Sequence, residues 1–233
     1  MHSLFSIKYS HIILMVTSLL CTTQVYASGI VLGGTRIIYP VENKQVSISV
    51  RNTSEKSRFM VQSWAEDIQG KKTDDFIVTP PIYVSNPGQE NTLRIMYSGS
   101  PLQKDRETLY FLNTKAIPAL DKSKLEGRNV LMLATSTRIK MFMRPSGLTP
   151  QVNKAPEMLT FKKHGQQVRV ENPTPYYITL VNIKAGNHKL GNAMIPPRDS
   201  KTLALTSSDI KSVSFQTVND YGGYTKVQSA PLN

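Results

Sequence analysis

The sequence predicts an exported, all-β protein folded as two β-sandwich domains. Three observations carry that prediction. Apolar residues alternate at period two far more than at period 3.6. Turn residues cut the chain into short runs instead of long helical stretches. The first 27 residues have the layout of a secretory signal.

Residues 1–27 supply a positive start at Lys8, flanked by His2 and His11. An apolar stretch of Ile12, Ile13, Leu14, Met15, Val16, Leu19 and Leu20 follows, then small-residue positions at Val25 and Ala27. That stretch is too short to span a bilayer, so cleavage is expected before Ser28. Cys21 is the one cysteine. Lipid modification there is disfavoured because Leu20, not a small residue, precedes it. Cleavage leaves 206 residues without cysteine, room for two domains of about 100 residues. It excludes a disulfide scaffold and cysteine catalysis and argues against a structural zinc site. Removing Lys8 leaves 27 basic against 16 acidic residues, a net charge of +11. Such a balance suits acidic partners. The basic residues are scattered, with no run and no helix-borne stripe, so nucleic acid is not an expected partner.

In chain order, Val46, Ile48 and Val50 alternate with Ser47 and Ser49. Leu93, Ile95 and Tyr97 alternate with Arg94 and Met96, and Val168 and Val170 flank Arg169. Ile178 and Leu180 are expected on one face, with Tyr177, Thr179, Val181 and Ile183 on the other. Turn signals stand at Asn52-Thr53-Ser54, Gln69-Gly70, Asn86-Pro87-Gly88, Asn172-Pro173, Ala185-Gly186-Asn187 and Gly222-Gly223, and Pro80-Pro81 shapes a further turn. At most one helical turn is expected, at 122–125. The stretch from Arg144 to Pro150, punctuated by Pro145, Gly147 and Pro150, is expected to be a hinge. It divides a first domain, 28–146, from a second, 150–233. No internal repeat is evident.

The usual signs of catalysis are missing. His164 and His188 stand apart, outside metal-ligand spacing. Ser208-Asp209-Ile210-Lys211 matches a four-residue acyl-enzyme pattern, but its companion motifs are absent. There is no phosphate-binding loop and no nucleophile elbow. The expectation is a non-enzyme with no metal and no cofactor.

Five segments stand out: 32–40, 102–118, 129–145, 171–177 and 219–223. They contain Asp105-Arg106-Glu107-Thr108-Leu109, the run Arg138-Ile139-Lys140 leading to Arg144-Pro145, Asn172-Pro173-Thr174-Pro175-Tyr176-Tyr177 and Asn219-Asp220-Tyr221-Gly222. Together and in this order they resemble the periplasmic pilus (fimbrial) chaperones, most closely the type 1 pilus chaperone group. The resemblance runs from about Gly29 to Tyr221. It implies two immunoglobulin-like sandwiches set in an L shape. The implied function is to bind and fold pilus subunits in the periplasm by lending them a strand, then to deliver them to an outer-membrane usher.

The resemblance also assigns roles. Lending falls to a strand at about residues 129–140, with Leu131, Leu133 and Thr135 filling the subunit's groove. Thr135 stands where the family usually has a large aliphatic residue, so it buries less apolar area. Arg36 and Lys140 match the cations that hold the subunit's C-terminal carboxylate. Glu107, Arg144 and Asp220 match an ion network joining the domains. Residues 131, 133 and 135 share a face while 140 has the opposite parity, so either a bulge intervenes or the lysine points into the cleft. The loop from Ile117 to Arg128 resembles the short-loop branch serving rod-like pili. Free chains are expected to self-pair through the lending edge.

Without the resemblance, Arg36 and Lys140 read as solvated surface charges, and Leu131 and Leu133 as core. Other readings are a pilus subunit, a polyanion-binding module or an enzyme using Ser208. The first lacks support because subunits usually carry a disulfide and a single domain.

Overall fold

A computed structural model describes residues 29–119, 132–205 and 210–232. The proposed signal peptide with Cys21, the segment 120–131 with Leu131 and the suggested helical turn, and Ser208 with Asp209 lie outside the described residues.

The chain runs through β1 (Ile30–Leu32), β2 (Arg36–Pro40), β3 (Val46–Asn52), β4 (Phe59–Glu66), β5 (Phe76–Thr79), β6 (Ile82–Ser85), β7 (Glu90–Tyr97), β8 (Thr108–Pro118) and β9 (Thr135–Arg144). These form two sheets, ordered β1-β3-β7-β5 and β2-β9-β8-β4-β6. Their inner faces share one core. It holds Val50, Leu93 and Ile95 from the first sheet, and Val61, Leu112, Met141 and Met143 from the second. The alternation read from Ile48-Val50 and Leu93-Ile95 is therefore the ordinary in–out pattern of a half-buried sheet.

A second unit follows. A 3-10 helix at Val152–Met158 leads into β10 (Thr160–His164), β11 (Gln167–Asn172), β12 (Ile178–Ala185), β13 (His188–Lys189), β14 (Ala193–Ile195), β15 (Asp199–Ala204), β16 (Ser212–Thr217) and β17 (Gln228–Pro231). One sheet is β10-β11-β15. The other is β13-β12-β16-β17, with β14 also paired to β12. A separate core collects Phe161, Val168, Val170, Leu180, Ile183, Ile195, Val213 and Phe215. The 3-10 helix had no signal in the periodicity, because only Ala155 of its seven residues is buried.

One expected face is corrected. Ile183 does not lie opposite Ile178 and Leu180; all three sit in the same core. The β12–β16 register slips by one residue between Val181 and Lys184. Asn182 absorbs the bulge at φ 51°, a left-handed conformation that asparagine tolerates better than most residues. One extra residue returns Ile183 to the side that simple alternation takes away.

The two domains are pinned alike at one corner. Asn52, fully buried at the end of β3, donates to the carbonyls of Ser57, Ser85 and Asn86 at 2.8–3.2 Å and accepts from the Ser54 amide. Asn172, at the end of β11, donates to the carbonyls of Tyr176, Ile195 and Pro196 and accepts from the Thr174 amide and hydroxyl. Both turn signals are thus buried polar hubs, and the second shapes the chain leading to Tyr176 and Tyr177. Replacing Asn172 by alanine strands several buried groups at once. The expected cost is about 3 kcal/mol, read by chemical denaturation of the purified protein; a loss under about 1 kcal/mol would contradict the hub.

Candidate functional site

The site forms where β8 and β9 end against the second domain. Their ladder pairs Thr108 with Met143, so Glu107 and Arg144 are the next cross-strand neighbours. Arg144 Nε donates to Glu107 Oε1 at 2.7 Å, and its two terminal nitrogens grip Asp220 at 2.7 and 2.8 Å. Glu107 Oε2 accepts from the Tyr177 amide at 2.8 Å, and the Glu107 amide donates to the Pro175 carbonyl. One carboxylate from each domain therefore shares one guanidinium, with backbone contacts on both sides. Burial pushes the Glu107 carboxyl up from its ordinary value, against the downward pull of Arg144 and the Tyr177 amide. Burial alone would lower Arg144, but its bonds to Asp220 and Glu107 outweigh it and hold the guanidinium above its ordinary value. Phe142 and Leu109, cross-strand neighbours on the same face, are buried outside either core, and Phe142 packs on Tyr177 with ring centroids 5.7 Å apart.

Arg36 and Lys140 lie side by side, because β2 runs parallel to β9 with Arg36 opposite Lys140. Both point at the second domain. Arg36 donates to the Val218 carbonyl at 3.2 Å, and Lys140 Nζ to Thr179 Oγ1 at 3.4 Å. Neither forms a salt bridge among the described residues. Burial lowers the Arg36 pKa, opposed by the charges of Asp220 and Glu107. Burial also lowers that of Lys140, and the neighbouring cations Arg36 and Lys201 lower it further. Arg36 offsets the net negative Glu107–Arg144–Asp220 cluster. Among the described residues Lys140 has no such counter-ion, so the cleft keeps a positive surplus suited to one carboxylate.

The parity question resolves without a bulge. The β8–β9 ladder is regular from Thr135 to Met143. Ile139, Met141 and Met143 face the first core, and Lys140, Phe142 and Arg144 face the second domain. Of the expected lending strand, residues 129–131 lie outside the described residues; among the described ones β9 runs from Thr135 to Arg144. The loop expected from Ile117 begins after Pro118. Leu133 lies just outside the strand and is 67 % exposed, so it is not core; Thr135 is exposed as well.

From Thr135 to Ile139, β9 pairs with β8 alone; on its other side β2 begins only at Arg36, opposite Lys140. The edge is open because the first segment changes sheets: β1 pairs with β3, and β2 with β9. The crossing is at Gly33, whose amide donates to the Ser49 carbonyl and where a Cβ would collide with Ser49 Oγ.

Several residues of the site escaped the sequence reading. Thr179 and Val218 receive the two cations, and Tyr177 is both a backbone donor and a ring contact. Gly222, at φ 84°, sits against Thr35 so closely that a Cβ would collide with its hydroxyl. Asp105 and Arg198 form a second bridge between the domains at 2.7 Å. No spacing signals such contacts, because each joins residues 35 or more positions apart. Only the clustering of polar residues after Asn172 and Asn219 hinted at them.

Replacing Arg144 by methionine leaves Glu107 buried beside Asp220 with no cation between them. The expected loss is about 3–5 kcal/mol at pH 7. Without Arg144 the folded state takes up a proton at Glu107 more readily than the unfolded chain. Stability of the variant therefore rises as pH falls from 7 toward 5, because the folded form binds the extra proton. Thermal melts across that range check it; a loss that stays constant with pH would contradict it.

Residues 29–149 match the family described as the pili and flagellar-assembly chaperone, PapD N-terminal domain, and residues 154–229 the pili assembly chaperone PapD, C-terminal domain. The chain is 46% identical over 227 residues to the probable fimbrial chaperone SfmC of Escherichia coli K12, covering 97% of this chain and 99% of that one. It is 42% identical over 199 residues to the chaperone protein FimC of the same strain, covering 85% and 82%. Among solved structures, the periplasmic chaperone SfaE superposes with a TM-score of 0.77 at 39% identity, covering 87% of this chain and 99% of that one. The SafB chaperone of Salmonella enterica, solved with the SafA pilin, superposes with a TM-score of 0.79 at 27% identity, covering 91% and 99%. With both domain families matched in order and relatives aligned along nearly its whole length, the chain belongs to the PapD family of pilus-assembly chaperones.

Proposed function

We propose that this periplasmic chaperone folds pilus subunits by donating the open edge of β9, holds their C-terminal carboxylate with Arg36 and Lys140, and hands them to an outer-membrane usher. One observation carries the reading: an unpaired strand edge, Thr135 to Ile139, ends at two cations that form no salt bridge among the described residues. A strand that pairs with this edge and places its terminus at Arg36 runs parallel to β9. It lies in line with β2 and occupies the positions that β2 leaves empty. The terminal carboxylate then fixes register, which matters because a one-residue slip presents the wrong face. Leu133 and Thr135, with Leu131 outside the described residues, supply alternate side chains to the subunit's exposed core. Glu107, Arg144 and Asp220 hold the two domains at the separation the carboxylate needs. The hinge between residues 146 and 150 separates the lending domain from the domain that closes the cleft. No catalytic step is needed: binding energy alone drives the subunit to fold. The same edge pairs two free chaperones when no subunit is present.

Periplasmic co-expression with a tagged subunit from a neighbouring pilus operon tests the reading. Arg36→Ala and Lys140→Ala each remove a charge-assisted contact of about 1.5–3 kcal/mol, a loss of roughly ten-fold or more in affinity. The expected result is a one-to-one complex with the wild type and little or none with either variant. Unimpaired binding by both variants contradicts the carboxylate anchor. Thr135→Leu adds apolar area to the lent strand and should tighten the complex about five-fold. Equal or weaker binding by the leucine variant, measured by competition with the wild type, contradicts the assignment of residue 135 to the subunit's groove.

A further inference from the structure

Beside the cation pair, the cleft opens into a cavity of about 360 Å³. This is the small end of the roughly 300–1,000 Å³ range of ligand pockets. Its wall is mainly apolar and comes largely from the second domain: Val152, Pro156, Ile178 and Val218, with Phe142 from β9. At its rim stands Tyr221, 96 % exposed although its loop is fixed. Asn219 Oδ1 accepts from the amides of Tyr221 and Gly223 at 3.0 and 2.9 Å, and Asp220 is held by Arg144. A large aromatic side chain held on an ordered loop with almost no contacts of its own is a surface waiting for a partner. Arg36 lines the cavity too, and its Nε is buried without a hydrogen-bond partner among the described residues. Glu107, Arg144 and Asp220 line it as well, but their charges are engaged with one another, so an apolar wall with one unsatisfied Arg36 donor suits a short apolar group attached to an anion.

We infer that this cavity receives the apolar side chain of the last residue of the bound subunit, so that the second domain reads the identity of that residue while Arg36 and Lys140 hold its carboxylate. The inference rests on the carboxylate-anchor reading above and adds a selective element to it. The anchor recognises any chain end, because every chain has a terminal carboxylate. The cavity distinguishes one end from another. It also gives a function to the Asn219–Gly223 loop beyond supplying Asp220. Filling the cavity removes apolar surface of the subunit's end and of Tyr221 from water, and a glycine at the end forfeits that burial.

The test uses the full chaperone and four synthetic peptides copied from the last 15 or so residues of a partner subunit. They end in leucine or in glycine, each as the free acid and as the amide. Affinities are measured by fluorescence anisotropy for the wild type, Tyr221→Ala and Val152→Trp. Tyr221 is so exposed that its removal leaves the fold intact, and Val152→Trp fills the cavity from its wall. In the wild type the leucine acid should bind about ten-fold more tightly than the glycine acid. In both variants that ratio should fall below about two-fold, with the acid-over-amide preference retained. Equal binding of leucine and glycine acids by the wild type, with weak amides, overturns the pocket and leaves the anchor standing. A leucine preference shared equally by acid and amide keeps the pocket and overturns the anchor. Failure of all four peptides to bind overturns both, and a leucine preference unchanged in both variants places the recognition elsewhere and overturns the pocket.

Discussion

Strand β9 has two neighbours along its second half and one along its first, and the rest of the site depends on that asymmetry. β8 pairs with it from Thr135 to Met143, whereas β2 joins only from Lys140 onward. Backbone donors and acceptors left unpaired at a sheet edge seek partners, and natural proteins usually blunt such edges. Here the edge is kept by construction. The chain crosses from one sheet to the other at Gly33, so the segment that could have covered Thr135 to Ile139 pairs with β3 instead. Thr135, Ser136, Thr137 and Arg138 present polar, exposed side chains along the edge, and Arg138 is held by Glu66 at 3.2 Å and stacks on Phe111.

Where β2 closes that edge, two cations stand side by side. Arg144 is satisfied by two carboxylates, and its charge is committed to holding the domains together. Arg36 and Lys140 are half-buried and adjacent; among the described residues their hydrogen-bond acceptors are one carbonyl and one hydroxyl, and Arg36 also lies over the Phe142 ring. Placing two like charges together in a partly desolvated cleft costs stability unless an anion arrives. That cost falls chiefly on Lys140, since Arg36 also faces the carboxylates of Asp220 and Glu107, and it supports the proposal that the pair receives an anionic group. The second bridge, Asp105 to Arg198, is solvent-exposed and contributes little on its own.

Much of this was legible in the sequence, for identifiable reasons. Period-two alternation at Ile48-Val50, Leu93-Ile95 and Val168-Val170 reports strands directly, because one face of each sheet meets a core. It failed at Ile183, where one extra residue at Asn182 reverses parity, and a bulge leaves no reliable mark in composition. Arg36, Lys140, Glu107, Arg144 and Asp220 could be nominated only through resemblance. As isolated residues they look like surface charges, and what brings them together is the parallel pairing of β2 with β9 and the packing of two domains. Thr179, Val218 and Tyr221 were not nominated, since their part in the site is fixed by tertiary contact alone. The Asn52 and Asn172 corners passed for ordinary turns because sequence shows that an asparagine is present but not that it is buried.

The central claim is that the open half of β9 is the surface a subunit completes. Hydrogen exchange at individual backbone amides of Thr135 to Arg144, in the free protein and in its complex with a pilus subunit, tests it most directly. In the free protein, diluted below the concentration at which the edge pairs with a second copy, the amides of Thr135 to Ile139 that face away from β8 should exchange rapidly, and complex formation should slow them by orders of magnitude. Amides from Lys140 to Arg144, already paired on both sides, should change little. Exchange along Thr135 to Ile139 that is the same in the free and bound protein would contradict the account.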